Sequence, residues 1–139
     1  MKKIEYTKPI YTYEIDAGQH VSNIAYVQWM EVARLKLLEE IGLPIHEIKA
    51  KGFVPALVRT EINYRKPLFI GDEVRVVLWL SELKGASAKM SFEFYNQLHE
   101  LVATGEQAGL FIRLENQRPH RLSENDRARF EAYLDGAPN

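Results

Sequence analysis

No cysteine occurs in the 139 residues, which removes thiol nucleophiles, Cys-zinc sites and disulfide scaffolds at once. An excess of one charge is missing too: 18 Lys and Arg stand against 19 Asp and Glu, a net charge of −1. That balance offers no electrostatic footprint for a nucleic-acid backbone or a membrane surface. Long hydrophobic runs are absent, because Lys, Arg, Asp or Glu interrupts every apolar stretch short of the roughly 20 residues that span a bilayer. The opening MKKIEYTKPIYTYEID has no apolar core and no small-residue cleavage site, so it does not read as a signal peptide. Repeats, low-complexity tracts and Pro/Gly/Ser linkers are lacking, apart from a short polar tail at Asp135 to Asn139. What remains is ordinary globular composition, 46% hydrophobic and 27% charged. The expectation is one cytoplasmic domain over residues 1–139, large enough to bury a core without metal or disulfide support.

Tyr11, Tyr13 and Ile15 alternate with Thr12 and Glu14, the period-2 pattern of a half-buried strand, which Asp16-Ala17-Gly18 ends. From Ser22 or Asn23, either a good N-cap, the run NIAYVQWMEVARLKLLEEIG continues without proline to Gly42, with Pro44 beyond. It predicts one long helix. Tyr26, Met30, Ala33, Leu37 and Ile41 form a helical stripe, while Ile24, Val32 and Leu35 lie off it, so the helix is expected to be wrapped widely. Four strand-like runs follow at about 53–64, 73–83, 88–97 and 101–114. Val54, Ala56, Val58, Thr60, Ile62 and Tyr64 would share one face, as would Val74, Val76, Leu78 and Leu80, and Met90, Phe92 and Phe94. Ser123, with Asp126 three residues on, opens a terminal helix expected to run through Leu134. The order is that of an α+β chain whose antiparallel sheet curls around one central helix.

The densest polar cluster, Asp16-Ala17-Gly18-Gln19-His20-Val21-Ser22-Asn23, lies between the first strand and the long helix. Such junction loops place functional groups on a rigid frame. Asp16 offers a carboxylate nucleophile or general base. His20 offers the side chain that titrates nearest neutrality. The amides around Asn23, at the positive end of a helix, lack intrahelical acceptors and suit a developing oxyanion. A carboxylate beside an oxyanion hole is equipment for acyl transfer. The plainer reading of the same residues is an Asp turn followed by a helix cap.

The run Asp16-Ala17-Gly18-Gln19-His20-Val21-Ser22-Asn23-Ile24-Ala25-Tyr26, followed by Trp29, Glu31 and Ala33-Arg34, resembles the opening motif of hot-dog-fold thioesterases of the 4-hydroxybenzoyl-CoA thioesterase type. Its His-Val-x-Asn variant is also similar to acyl-carrier-protein thioesterases. Glu61-Ile62-Asn63-Tyr64 with Pro67 and Gly71-Asp72-Glu73-Val74 resembles the strand-turn-strand segment of that superfamily. The resemblance covers about residues 8 to 115. It implies a five-stranded antiparallel hot-dog sheet around the helix, hydrolysis of an acyl- or aroyl-CoA or acyl-ACP thioester, and no cofactor. The catalytic acid falls on Asp16, the carbonyl-polarising amide on Asn23, and His20 matches a functional His of the acyl-carrier-protein thioesterases, although Gly18 stands where those carry Asn. It further implies a homodimer or homotetramer with its site between protomers, in line with the pairing tendency of long exposed edges.

Other candidates carry less. Glu61 reads as a solvated or interface carboxylate, Glu31 and Arg34 as an i,i+3 pair, and His46, His99 and His120 as surface residues without ligand spacing. Arg59, Arg65, Lys66, Lys84, Lys89, Arg113, Arg118 and Arg121 suit coenzyme A phosphates by charge alone. A hydratase on the same fold would want an Asn-Pro turn between acid and His, and only Ala-Gly-Gln lies there. A non-catalytic acyl-thioester binding module would keep the pocket without a productive acid.

Overall fold

A computed structural model describes residues 1–138. Five strands, β1 (Ile4–Pro9), β2 (Phe53–Tyr64), β3 (Glu73–Leu83), β4 (Ser87–Tyr95) and β5 (Leu101–Arg113), form one antiparallel sheet in the order β1-β3-β4-β5-β2. Three helices accompany it: α1 (Asn23–Glu40), α2 (Ile45–Ala50) and α3 (Glu124–Glu131). The α+β layout expected from the sequence is the one observed.

α1 packs against one face of the sheet because its apolar stripe matches that of the strands. Tyr26, Met30, Ala33 and Leu37 are buried against Val74, Val76, Leu78, Leu80, Phe92 and Phe94 in one continuous core. Tyr26 makes edge-on ring contacts with Phe94 and Tyr64 at 5.0 and 5.1 Å. The approach is tight at Gly105, where a Cβ would sit 2.7 Å from Met30 Cε. Wrapping stops short of the full circumference: Ile24 is 66% exposed, and Val27, Val32 and Leu35 are also open to solvent. α3 begins as the sequence predicts, with Ser123 Oγ accepting from Asp126 N–H at 3.1 Å.

Three expectations need correction. The first strand is Ile4–Pro9, and Thr12–Glu14 is a 3-10 turn. The alternation misleads because Tyr13 stays 78% exposed, stacked on Tyr11, whereas Glu14 is the buried member. In β2, a bulge between Leu57 and Arg59 reverses the facing parity. Thr60, Ile62 and Tyr64 oppose Gln107, Gly105 and Ala103 on the helix side, but before the bulge the odd residues Phe53 and Leu57 take that side, and Val58 is left 61% exposed. Finally, α3 ends at Glu131, because the chain turns to bond β3 instead: Leu80 N–H donates to Tyr133 O at 2.9 Å and Asp135 N–H to Leu80 O at 2.8 Å.

Candidate active site

The loop between the 3-10 turn and α1 is fixed at both ends. Its two legs meet in an antiparallel bridge between Ile15 and Val21. Asp16 N–H donates to His20 O at 3.0 Å, and Gln19 N–H to Asp16 O at 3.1 Å. Gln19 takes a positive φ of 69° to close this turn. Val21 N–H bonds Leu68 O in the β2–β3 connection, and Ser22 N–H bonds Glu14 O, each at 2.8 Å.

Glu14 anchors this assembly. Its buried carboxylate accepts from Lys8 Nζ at 2.6 Å, from Tyr11 N–H at 2.7 Å and from Trp29 Nε1 of α1 at 2.7 Å. Burial alone would raise its pKa; the bonds from Lys8, Tyr11 and Trp29, with the lysine charge, outweigh that and hold it below the usual carboxylate value. Sequence reading missed this residue. The only available signal was an acid among apolar neighbours, which is common on strands.

Within the loop, Asp16 Oδ1 accepts from Gly18 N–H at 2.8 Å. A Cβ on Gly18 would lie 3.1 Å from both Asp16 Oδ1 and His20 Nε2, so the carboxylate and the imidazole flank this one glycine. His20 Nδ1 is 3.4 Å from Val21 O, a long contact that a proton on Nδ1 would satisfy, leaving Nε2 as an acceptor. At the start of α1, Ser22 occupies the cap position but its side chain makes no capping bond. The Asn23 and Ile24 amides find no acceptor among the described residues, so the positive end of the helix is left unneutralised.

Asp16, His20 and Asn23 therefore converge on one cleft of about 340 Å³, whose walls include Tyr26, Tyr64, Arg65, Lys66 and Leu68. Burial and the neighbouring Tyr64 push the Tyr26 hydroxyl well above its ordinary pKa, so it stays protonated. Of the cations singled out for phosphate, only Arg65 and Lys66 line this cleft. Lys66 is paired with Glu100, while Arg65 has no ion-pair partner among the described residues. Glu61 is exposed and paired with Arg59, outside the cleft. Glu31 and Arg34 do not form the expected ion pair: Arg34 Nη1 instead donates to Gln107 Oε1 at 2.6 Å. His46 and His99 are exposed, and the half-buried His120 stacks on Phe53, all away from the cleft.

The model of the thioesterase-like superfamily matches residues 10–130. The chain belongs to that superfamily. Its reaction class is thioester hydrolysis. A putative acyl-CoA thioesterase of Bacillus subtilis is 27% identical over 106 residues, covering 76% of this chain and 77% of that one. A Staphylococcus aureus protein solved in complex with CoA superposes with a TM-score of 0.91 at 16% identity, over 99% of this chain and 87% of that one. The DHNA-CoA thioesterase of the same organism superposes with a TM-score of 0.82 at 24% identity, over 88% and 82%. These superpositions place the sheet and helix of this superfamily member in the hot-dog fold.

Proposed function

We propose that the protein hydrolyses a coenzyme A thioester, with Asp16 as the catalytic carboxylate, the Asn23 amide as oxyanion donor and His20 as an auxiliary proton carrier. The carrying observation is the Asp16 carboxylate in one cleft with an uncapped helix N-terminus. The helix end holds roughly half a positive charge. It polarises the thioester carbonyl and stabilises the oxyanion that forms there, a contribution of about 100- to 1000-fold in turnover by analogy with other oxyanion donors. Asp16 either takes the proton of the attacking water or attacks the carbonyl itself, giving an anhydride that water then opens. In both routes the C–S bond breaks, a C–O bond forms, and the thiolate leaves with a proton. With Nε2 free to accept, His20 can take that proton from water and pass it on. Arg65, at the cleft wall, is assigned to a phosphate of the carrier.

The working form in this reading is a homodimer joined through β2. Among the described residues that strand bonds only β5, so the other edge of its twelve residues is open there, with Leu57, Val58 and Tyr64 exposed. A panel of acyl- and aroyl-CoA esters assayed for free thiol tests the function. Thiol release supports it; hydration of an enoyl ester without thiol release would place the chain among hydratases, and tight binding without turnover would make it a binding module.

A further inference from the structure

Tyr26 is only 2% exposed, and three rings grip its own: Trp29 at 4.9 Å, Phe94 at 5.0 Å and Tyr64 at 5.1 Å between centroids. A tyrosine hydroxyl buried this far ordinarily finds a hydrogen-bond partner, as that of Tyr6 does by donating to Trp29 O at 2.7 Å. The Tyr26 hydroxyl bonds nothing among the described residues. It is not sealed in the core either, because no fully buried side-chain oxygen there lacks a partner. The hydroxyl therefore opens on the cleft that Tyr26 lines together with Asp16, His20 and Asn23.

The helix aims it. Tyr26 follows Asn23 by three residues, so the two lie on one flank of α1 about 4.5 Å apart along its axis. Side chains on a helix lean toward its N-terminus, which carries the phenol back along that flank toward the first turn. The Asn23 amide points out of the same end. Ile24, the other residue with a free amide, turns its side chain to solvent, whereas Tyr26 turns to the cleft. The cleft already has proton acceptors in Asp16 and in His20 Nε2, and a neutral phenol that keeps its proton adds a donor.

We propose that Tyr26 is a further catalytic residue, whose hydroxyl donates to the thioester carbonyl oxygen and, with the Asn23 amide, forms a two-donor oxyanion site. The assignment rests on the thioesterase reading given above. The phenol neither gives up nor takes a proton in the reaction. Its bond to the oxygen strengthens as negative charge develops there, so it acts on turnover more than on binding. The ring contacts with Trp29, Phe94 and Tyr64 hold it in place before substrate arrives, so little reorganisation is needed.

The test is Tyr26→Phe, which removes one oxygen and keeps the ring. No protein hydrogen bond is lost, so the denaturant midpoint should stay that of wild type. For the esters of the CoA panel that wild type turns over, kcat should fall about 10-fold to 100-fold with KM changed less than about twofold. A second measurement reads the carbonyl itself. The best of those esters, isotopically labelled at the carbonyl carbon and bound to Asp16→Asn to slow turnover, should show a carbonyl stretch at lower frequency than when bound to Asp16→Asn/Tyr26→Phe. A folded Tyr26→Phe protein with wild-type kcat, a loss confined to KM, or a carbonyl band that does not move between the two backgrounds overturns the role of Tyr26 with hydrolysis standing. Absence of thiol release by wild type from every ester overturns the thioesterase reading and this role with it.

Discussion

Replacing Glu14 by Gln changes one buried carboxylate oxygen into an NH₂ and nothing else in shape. All three partners of that carboxylate are donors: Lys8 Nζ, Tyr11 N–H and Trp29 Nε1. An amide has one acceptor oxygen, so whichever way the substituted side chain is turned, its NH₂ confronts another donor. If the NH₂ points to Trp29, the buried indole N–H is orphaned; if it points the other way, Lys8 and the Tyr11 amide are. A buried unsatisfied donor costs about 1–3 kcal/mol, and loss of the charge-assisted bond from Lys8 adds to it, so we expect Glu14→Gln to cost about 2–3 kcal/mol. Trp29→Phe removes a donor and leaves the carboxylate two others, for about 1 kcal/mol. Combined, they should cost less than the sum by about 1–2 kcal/mol, because the new amide no longer faces an indole N–H. Denaturant unfolding of the wild type, both single variants and the double variant at neutral pH measures each value. A Glu14→Gln variant within about 0.5 kcal/mol of wild type, or strict additivity, would refute the claim that this carboxylate ties the loop to α1.

The same carboxylate sets a pH dependence. Its folded pKa lies below the unfolded value of about 4.3, so its contribution is complete above that value and is lost as pH falls through the folded pKa. The stability gap between wild type and Glu14→Gln should therefore shrink below about pH 4, and a gap constant from neutral pH to about pH 3 would contradict it. Gly18→Ala places a methyl 3.1 Å from both Asp16 Oδ1 and His20 Nε2, so it should lower kcat by about tenfold or more with unfolding nearly unchanged; unaltered kcat would separate these groups from the chemistry. Arg65→Ala should raise KM for CoA esters by about fivefold to tenfold, and leave truncated thioesters lacking the nucleotide unaffected; equal effects on both would remove its phosphate role.

Much of this architecture can be read before folding is considered, where contacts follow from local spacing. The stripe Tyr26, Met30, Ala33 and Leu37 and the alternations in β3 and β4 each record a single buried face, and each is buried as expected. The cluster of Asp16, His20 and Asn23 is legible as well, because one short stretch of loop and helix start holds them together. What escapes depends on partners distant in the chain. The bulge in β2 arises from its pairing with β5, where Leu57 opposes Gly109 and Arg59 opposes Ala108. Glu14 is buried because Trp29 and Lys8 meet it, and Arg34 leaves Glu31 for Gln107, 73 residues away. Helical spacing places Glu31 and Arg34 within reach, but it cannot show that a buried amide oxygen competes for the same guanidinium.

The central claim is that the Asp16 carboxylate drives thioester hydrolysis beside the open end of α1. Its most direct test is thiol release by Asp16→Asn at saturating ester, compared with wild type, with the unfolding transition of each measured alongside. Loss of the acid-base or nucleophilic group predicts a fall in kcat of about 100-fold or more. Turnover within about threefold of wild type in a folded Asp16→Asn protein would contradict the account.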